Sequence, residues 1–144
     1  MKEAIEFSAI FPSALFAGAA VYINLVEHPA RMQCGTAFAA AVFGPSYKRA
    51  TVMQASLAVV ATVSALGAWW LVDSVLWLIG ALLIFSVVPF TLLVILPTNK
   101  QLLAADLDRG APATHHLLVR WGRLHAVRTI ASLAATITFL IAVL

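Results

Sequence analysis

Tyr22-Ile23-Asn24-Leu25-Val26-Glu27-His28-Pro29-Ala30-Arg31 closes an apolar run that begins near Phe7. About 20 helical residues cross the roughly 30 Å hydrocarbon layer of a bilayer, so the run has the length of a membrane span. It ends in an asparagine, an adjacent carboxylate and imidazole, a proline and an arginine. Ionisable groups at such a depth are costly, tend to face a bundle interior and mark function by default. Pro29 removes a backbone donor and disfavours helical geometry at His28, so the helix is expected to kink or stop beside Glu27 and His28.

The rest of the chain fits that reading. Its 144 residues have room for one domain, and 62% hydrophobic against 10% charged residues lies far outside the soluble globular range. Four apolar runs, at about 7–26, 51–72, 75–96 and 122–143, predict an all-α integral membrane protein, residues 1–144 forming one four-helix up-down bundle. The flank Lys2, Glu3 and Glu6 is not a basic cluster, so the first run reads as a mature span rather than a secretory signal. Short interfacial helices are expected in loops one and three. Ala37 to Phe43 is apolar but too short to span, and Gly44-Pro45-Ser46 reads as a turn with Ser46 capping the second span. Pro97 is expected to end the third span, Thr98 and Gln101 then opening a short helix to about Asp106. Pro89 predicts a kink inside that span. Trp69, Trp70 and Trp77 form an aromatic belt around the tight turn Asp73-Ser74.

Charge sets the topology. Arg31, Lys48, Arg49, Lys100, Arg109, Arg120, Arg123 and Arg128 lie on the side of loops one and three, against Lys2 alone on the other. The positive-inside rule then makes those loops cytoplasmic, with both termini on the non-cytoplasmic side of an inner or plasma membrane. The same distribution argues against nucleic-acid binding, since the net charge of +3 is a topology signal. Cys34 is the only cysteine, which excludes an internal disulfide and any Cys-rich metal site. Ala14 and Gly18 have the spacing that lets helices approach closely in lipid, and that face permits a homo-oligomer.

In the fourth run Trp121, His125, Arg128 and Ser132 fall on one helical face. The up-down topology brings them to the membrane level of Tyr22 to Arg31, so Asn24, Glu27, His28, Tyr47, Arg49, Gln54, Asn99, His125 and Arg128 can converge. Three chemistries fit. Glu27, His28 and His125 match the ligand set of an open metal site, with a metal ion or haem as the cofactor. Alternatively, with no cofactor, a histidine is a general base that removes an acidic proton from an apolar substrate, with Arg128 or Arg49 stabilising the anion. In the third reading Glu27 and Arg128 form an interhelical ion pair and the histidines are hydrogen-bonded struts. The protein is then non-enzymatic and binds a lipidic ligand or a partner subunit. His115 and His116, at the exposed start of the last helix, read as solvated. No Walker loop, Rossmann glycine pattern, HExxH motif or serine triad occurs.

The stretch Tyr22 to Arg31, the turn Gly44-Pro-Ser-Tyr-Lys-Arg-Ala50 with Gln54, the junction Pro97-Thr-Asn-Lys100 and the run Trp121-Gly-Arg-Leu-His-Ala-Val-Arg128 together resemble the anthrone-oxygenase-like family of small four-span membrane proteins. That resemblance implies an oxygenase or oxidoreductase acting on an aromatic, lipid-soluble substrate, and the topology puts the polar pocket on the cytoplasmic side. Carried onto this chain, it implies His28, His125, Glu27, Arg128 and Arg49 as reacting or stabilising groups. Asn24, Arg31, Tyr47, Lys48, Gln54, Asn99 and Trp121 would hold the substrate.

Overall fold

Four long helices account for nearly all of the chain in the computed structural model, which describes residues 1–144: α1 Lys2–Gln33, α2 Thr36–Val72, α3 Val75–Leu102 and α4 Pro112–Ala142. They alternate in direction, α1 and α3 each packing against α2 and α4. The protein is an integral membrane four-helix bundle. At 1.5 Å per residue the helices are about 42 to 55 Å long, so each projects beyond the ~30 Å hydrocarbon layer. The surplus length lies at the end holding Cys34-Gly35 and the 103–111 connection, here the loop end. The other end holds both termini and the Asp73-Ser74 turn.

Loop one differs from expectation. Residues 32–50 contain no separate interfacial piece, because α2 runs unbroken through Gly44-Pro45-Ser46 and the connection shrinks to Cys34-Gly35. Pro45 is exposed on the outer face, as is Ala41, whose carbonyl loses its donor. Headgroup-level water can satisfy that carbonyl, so the helix survives at the cost of one hydrogen bond. Ser46 therefore caps nothing. Loop three differs in the same way: α3 continues through Pro97 to Leu102, and the Thr98 hydroxyl has no partner, so no capping box forms. The last helix starts at Pro112, with Thr114 Oγ1 donating to the Asp108 carbonyl at 2.6 Å.

α1 and α3 pass Pro29 and Pro97 by widening a turn, whereas Pro12 and Pro89 lie in regular helix. Ile23–Glu27 and Thr91–Ile95 are π-helical, the His28 and Leu96 amides donating five residues back to the Ile23 and Thr91 carbonyls. Pro29 and Pro97 follow each π turn at the same offset. A proline ring crowds the carbonyl four residues back, and a wider turn relieves that crowding without ending the helix. The inward stripe of α1 runs Phe16, Ala20, Ile23, then jumps five to His28 and Arg31. A regular helix would have turned Glu27 inward instead.

Two cores follow. Toward the termini, Ala58, Ala61, Ala65 and Ala68 of α2 meet Ala9, Ala20, Ala81 and Ala135, with Phe16, Trp77 and Phe139 filling the remainder. In lipid, helices associate through close packing rather than the hydrophobic effect, and small residues allow it. A Cβ at Gly80 would collide with the Phe139 ring. Toward the loops, Phe43, Trp121, Leu118, Ile95 and Leu102 form an aromatic and aliphatic cluster beneath the connections. Ala14 and Gly18 face outward on α1.

Candidate functional site

The loop-end site begins with Asn24, set by the π turn of α1 against α4. Its Nδ2 donates to the Gly122 carbonyl at 3.0 Å, which fixes the amide so that Oδ1 accepts. Two α4 groups use that acceptor: His125 Nδ1 at 2.7 Å and Thr129 Oγ1 at 2.5 Å. His125 Nδ1 must then carry its proton, leaving the Nε2 lone pair of the neutral ring with no protein hydrogen bond. The ring is 1% exposed and lies 4.8 Å from the Trp121 ring.

His28 is occupied differently. Its Nδ1 accepts from Arg31 Nε at 3.2 Å, and its ring lies so close to α4 that a Cβ at Gly122 would sit 2.7 Å from His28 Nε2. Gly122 is therefore required for this approach. Trp121 packs against His28 at 5.1 Å between ring centroids, and the Arg31 guanidinium lies 5.1 Å from the Trp121 ring centroid. Glu27, turned aside by the π turn, accepts from Ser46 Oγ at 3.0 Å and pairs with Arg31 at 3.6 Å.

These placements correct two expectations. Glu27, His28 and His125 do not converge as a ligand triad, and no group of three His, Cys, Asp or Glu side chains is arranged to hold a metal ion. The residues do not fit a resident metal at that triad, because helix geometry sends Glu27 toward α2 while His28 meets α4. The Glu27–Arg128 ion pair does not form either. Arg128 Nη2 donates to Gln54 Oε1 at 2.8 Å, its guanidinium lies 5.4 Å from the Phe16 ring centroid, and no carboxylate is within 4.0 Å. A guanidinium near the hydrocarbon without a carboxylate is an open electrostatic demand.

His125, Arg128, Gln54, Asn99, Arg31, Tyr47 and Trp121 enclose a cavity of about 30 Å³, completed by Ile23, Phe43, Ser46, Ala50 and Thr51. That is room for a water or a diatomic molecule. Four atoms of its lining residues are buried without a protein partner: Gln54 Nε2, Asn99 Nδ2, Asn99 Oδ1 and Arg128 Nε. Each such group costs about 1–3 kcal/mol when left unmet, so the lining has hydrogen bonds to offer, mostly as a donor. Three are N–H donors, near the basic nitrogen of His125.

Of the residues singled out from sequence, the structure gathers seven around this cavity and puts Asn24 directly behind His125. Arg49 lies instead in a groove between α1 and α2 with Tyr22 and Glu27, and Lys48 is exposed. Sequence reading missed Thr129, Phe43, Thr51, Phe16 and Gly122. Thr129 stands four residues after His125 on the same face, a signal that was available. Gly122 was not distinguishable from any other helical glycine.

The family model described as anthrone oxygenase matches residues 43–138. The anthrone oxygenase tpcL of Aspergillus fumigatus is 40% identical over 63 residues, covering 42% of this chain and 39% of that protein. The chain thus matches well under half the length of that relative. No solved structure matches. The family match covers His125, Arg128, Gln54 and Asn99, while Asn24, His28 and Arg31 lie before it.

Proposed function

The chain belongs to the anthrone oxygenase family, and from that premise we propose that it is a membrane-embedded oxygenase that oxidises a small aromatic ketone of the anthrone type at the loop-end cavity. One observation carries the reading: His125, whose Nε2 makes no protein hydrogen bond, lines one cavity with Gln54 and Arg128, each of which holds a buried N–H without a partner. A base and hydrogen-bond donors for an oxyanion at one site are what removal of a carbon-bound proton next to an aryl ketone requires.

In this reading His125 Nε2 takes one hydrogen of the ring CH₂ as a proton, and the electron pair moves onto the ketone oxygen as a phenolate. Arg128 and Gln54 hold that oxygen. Asn24 supports the change by accepting the Nδ1–H hydrogen bond throughout, so the imidazolium stays oriented. The carbanion carbon then bonds to dioxygen, His125 returns its proton to the distal oxygen, and the hydroperoxide loses water as the second C–H bond breaks. One ketone and one dioxygen become one quinone and one water. The cavity is the size of the dioxygen fragment, not of the ring system.

The test is oxygen uptake by protein in lipid nanodiscs supplied with anthrone, run below the pH at which anthrone autoxidises. Uptake of one dioxygen per quinone, returning to the lipid-only rate in His125→Asn, is expected. Uptake no faster than lipid alone, or undiminished in that variant, would overturn the reading.

We further infer that the loop end is cytoplasmic, from the excess of Lys and Arg there. Cys34 is exposed at that end and has no thiol competitor. A membrane-impermeant maleimide should label it only after the cells are opened. Labelling of intact cells would reverse the assignment.

A further inference from the structure

The cavity is far too small for a fused-ring ketone, so on the oxygenase reading above only the CH₂ edge meets His125 at the cavity rim and the rest of the ring system lies outside. Two grooves on the lipid-facing surface touch Arg128. One, of about 120 Å³, runs between α2 and α3; it has Phe16, Ala58 and Val87 in its floor and Ala55, Val88 and Leu92 along its sides. The other, about 360 Å³, lies between α3 and α4 around Leu93 and Val127. The α2/α3 groove alone shares Gln54 and Thr51, as well as Arg128, with the polar cavity. Gln54 is 2% exposed, and its Nε2 has no protein partner. Arg128 stands about 21 Å along α4 from Ala142, within the hydrocarbon layer if the far end sits at the opposite boundary.

We propose that the α2/α3 groove is a lateral docking site at which a diaryl ketone enters from the bilayer, placing one ring between Phe16, Ala58 and Val87 and its oxygen toward Gln54 and Arg128. The volume suits one aromatic ring, since an apolar cavity of about 150 Å³ takes benzene. The remaining rings lie among the acyl chains. Ala55 and Ala58 set the width, because a larger side chain at either would occupy the ring's place. One polar corner in an otherwise apolar groove fits a ligand with one acceptor and no charged headgroup.

Benzophenone is the probe. It is a diaryl ketone without an acidic carbon-bound hydrogen, so it binds without turnover, and on irradiation its carbonyl carbon inserts into a nearby C–H bond. Wild-type protein in nanodiscs, irradiated with benzophenone and mapped by peptide mass spectrometry, should be labelled at Thr51, Ala55, Val87 or Val88. Ala55→Leu, a change on an exposed face that the fold tolerates, should lower this labelling about tenfold, a loss of ~1.4 kcal/mol of binding. Val127→Phe, in the other groove, should leave it unchanged. Labelling spread evenly over lipid-facing residues, as expected if an acyl chain fills the groove, would overturn the proposal. So would labelling centred on Leu93 and Val127, or indifference to Ala55→Leu. A protein labelled at the α2/α3 groove that fails to oxidise anthrone supports the docking site while refuting the oxygenase reading.

Discussion

Toward the termini, α2 presents Ala58, Ala61, Ala65 and Ala68 to its neighbours, and the polar groups there largely satisfy one another: the Ser13 and Thr136 hydroxyls lie 2.8 Å apart, and Thr136 donates to the Ser132 carbonyl at 3.0 Å. Toward the loops, the same four helices bury arginine, histidine and amide side chains, and Gln54 Nε2, Arg128 Nε and both amide atoms of Asn99 lack partners. Trp77 Nε1 is the one buried side-chain atom of the terminal half without a partner. The contrast teaches that the bundle could have been closed with alanine throughout. A membrane protein gains little from unmet donors, so their concentration beside His125 points to a guest rather than to assembly.

That contrast can be broken at four positions. The largest effect is expected at His125→Asn, which keeps a donor to Asn24 but removes the Nε2 base: anthrone-dependent oxygen uptake should fall about 10²- to 10⁴-fold with the melting midpoint nearly unchanged. Arg128→Gln should lower the turnover rate about 10²- to 10³-fold, as loss of an oxyanion donor does, with a smaller change in KM. If either variant instead unfolded the protein at full specific activity, the loop half would be scaffold like the terminal half. Gly80→Ala should do the opposite, forcing the Phe139 ring aside and costing about 1–3 kcal/mol in thermal or denaturant unfolding, with oxygen uptake per folded molecule retained. The smallest and most diagnostic change is Asn99→Leu. Removing two unpartnered buried atoms should raise stability by about 1 kcal/mol while lowering uptake, whereas a structural strut would lose stability.

Much of this was legible in the residues. Length and hydropathy give four spans, and the spacing of Trp121, His125 and Arg128 gives one face of the last helix. The sites of error share a cause. Proline usually kinks or ends a helix, which is the expectation at Pro29, Pro45 and Pro97, yet α2 tolerates one missing bond on its outer surface and α1 and α3 absorb theirs in π turns. A π turn leaves no pattern in the order of residue types that differs from a kink or a stop. Arg49 and Arg128 are both basic and both lie at the loop end; only the rotation of α2 separates them.

The sequence by itself determined the membrane, the number of helices, their up-down order and the level at which polar groups meet, because these follow from run length and charge distribution. The tertiary structure decided which of two adjacent residues, Glu27 or His28, turns inward, and which nitrogen of His125 is free. Those depend on a single extra residue in a turn of α1 and on an amide of Asn24 locked by the Gly122 carbonyl, contacts about a hundred residues apart that no local pattern encodes.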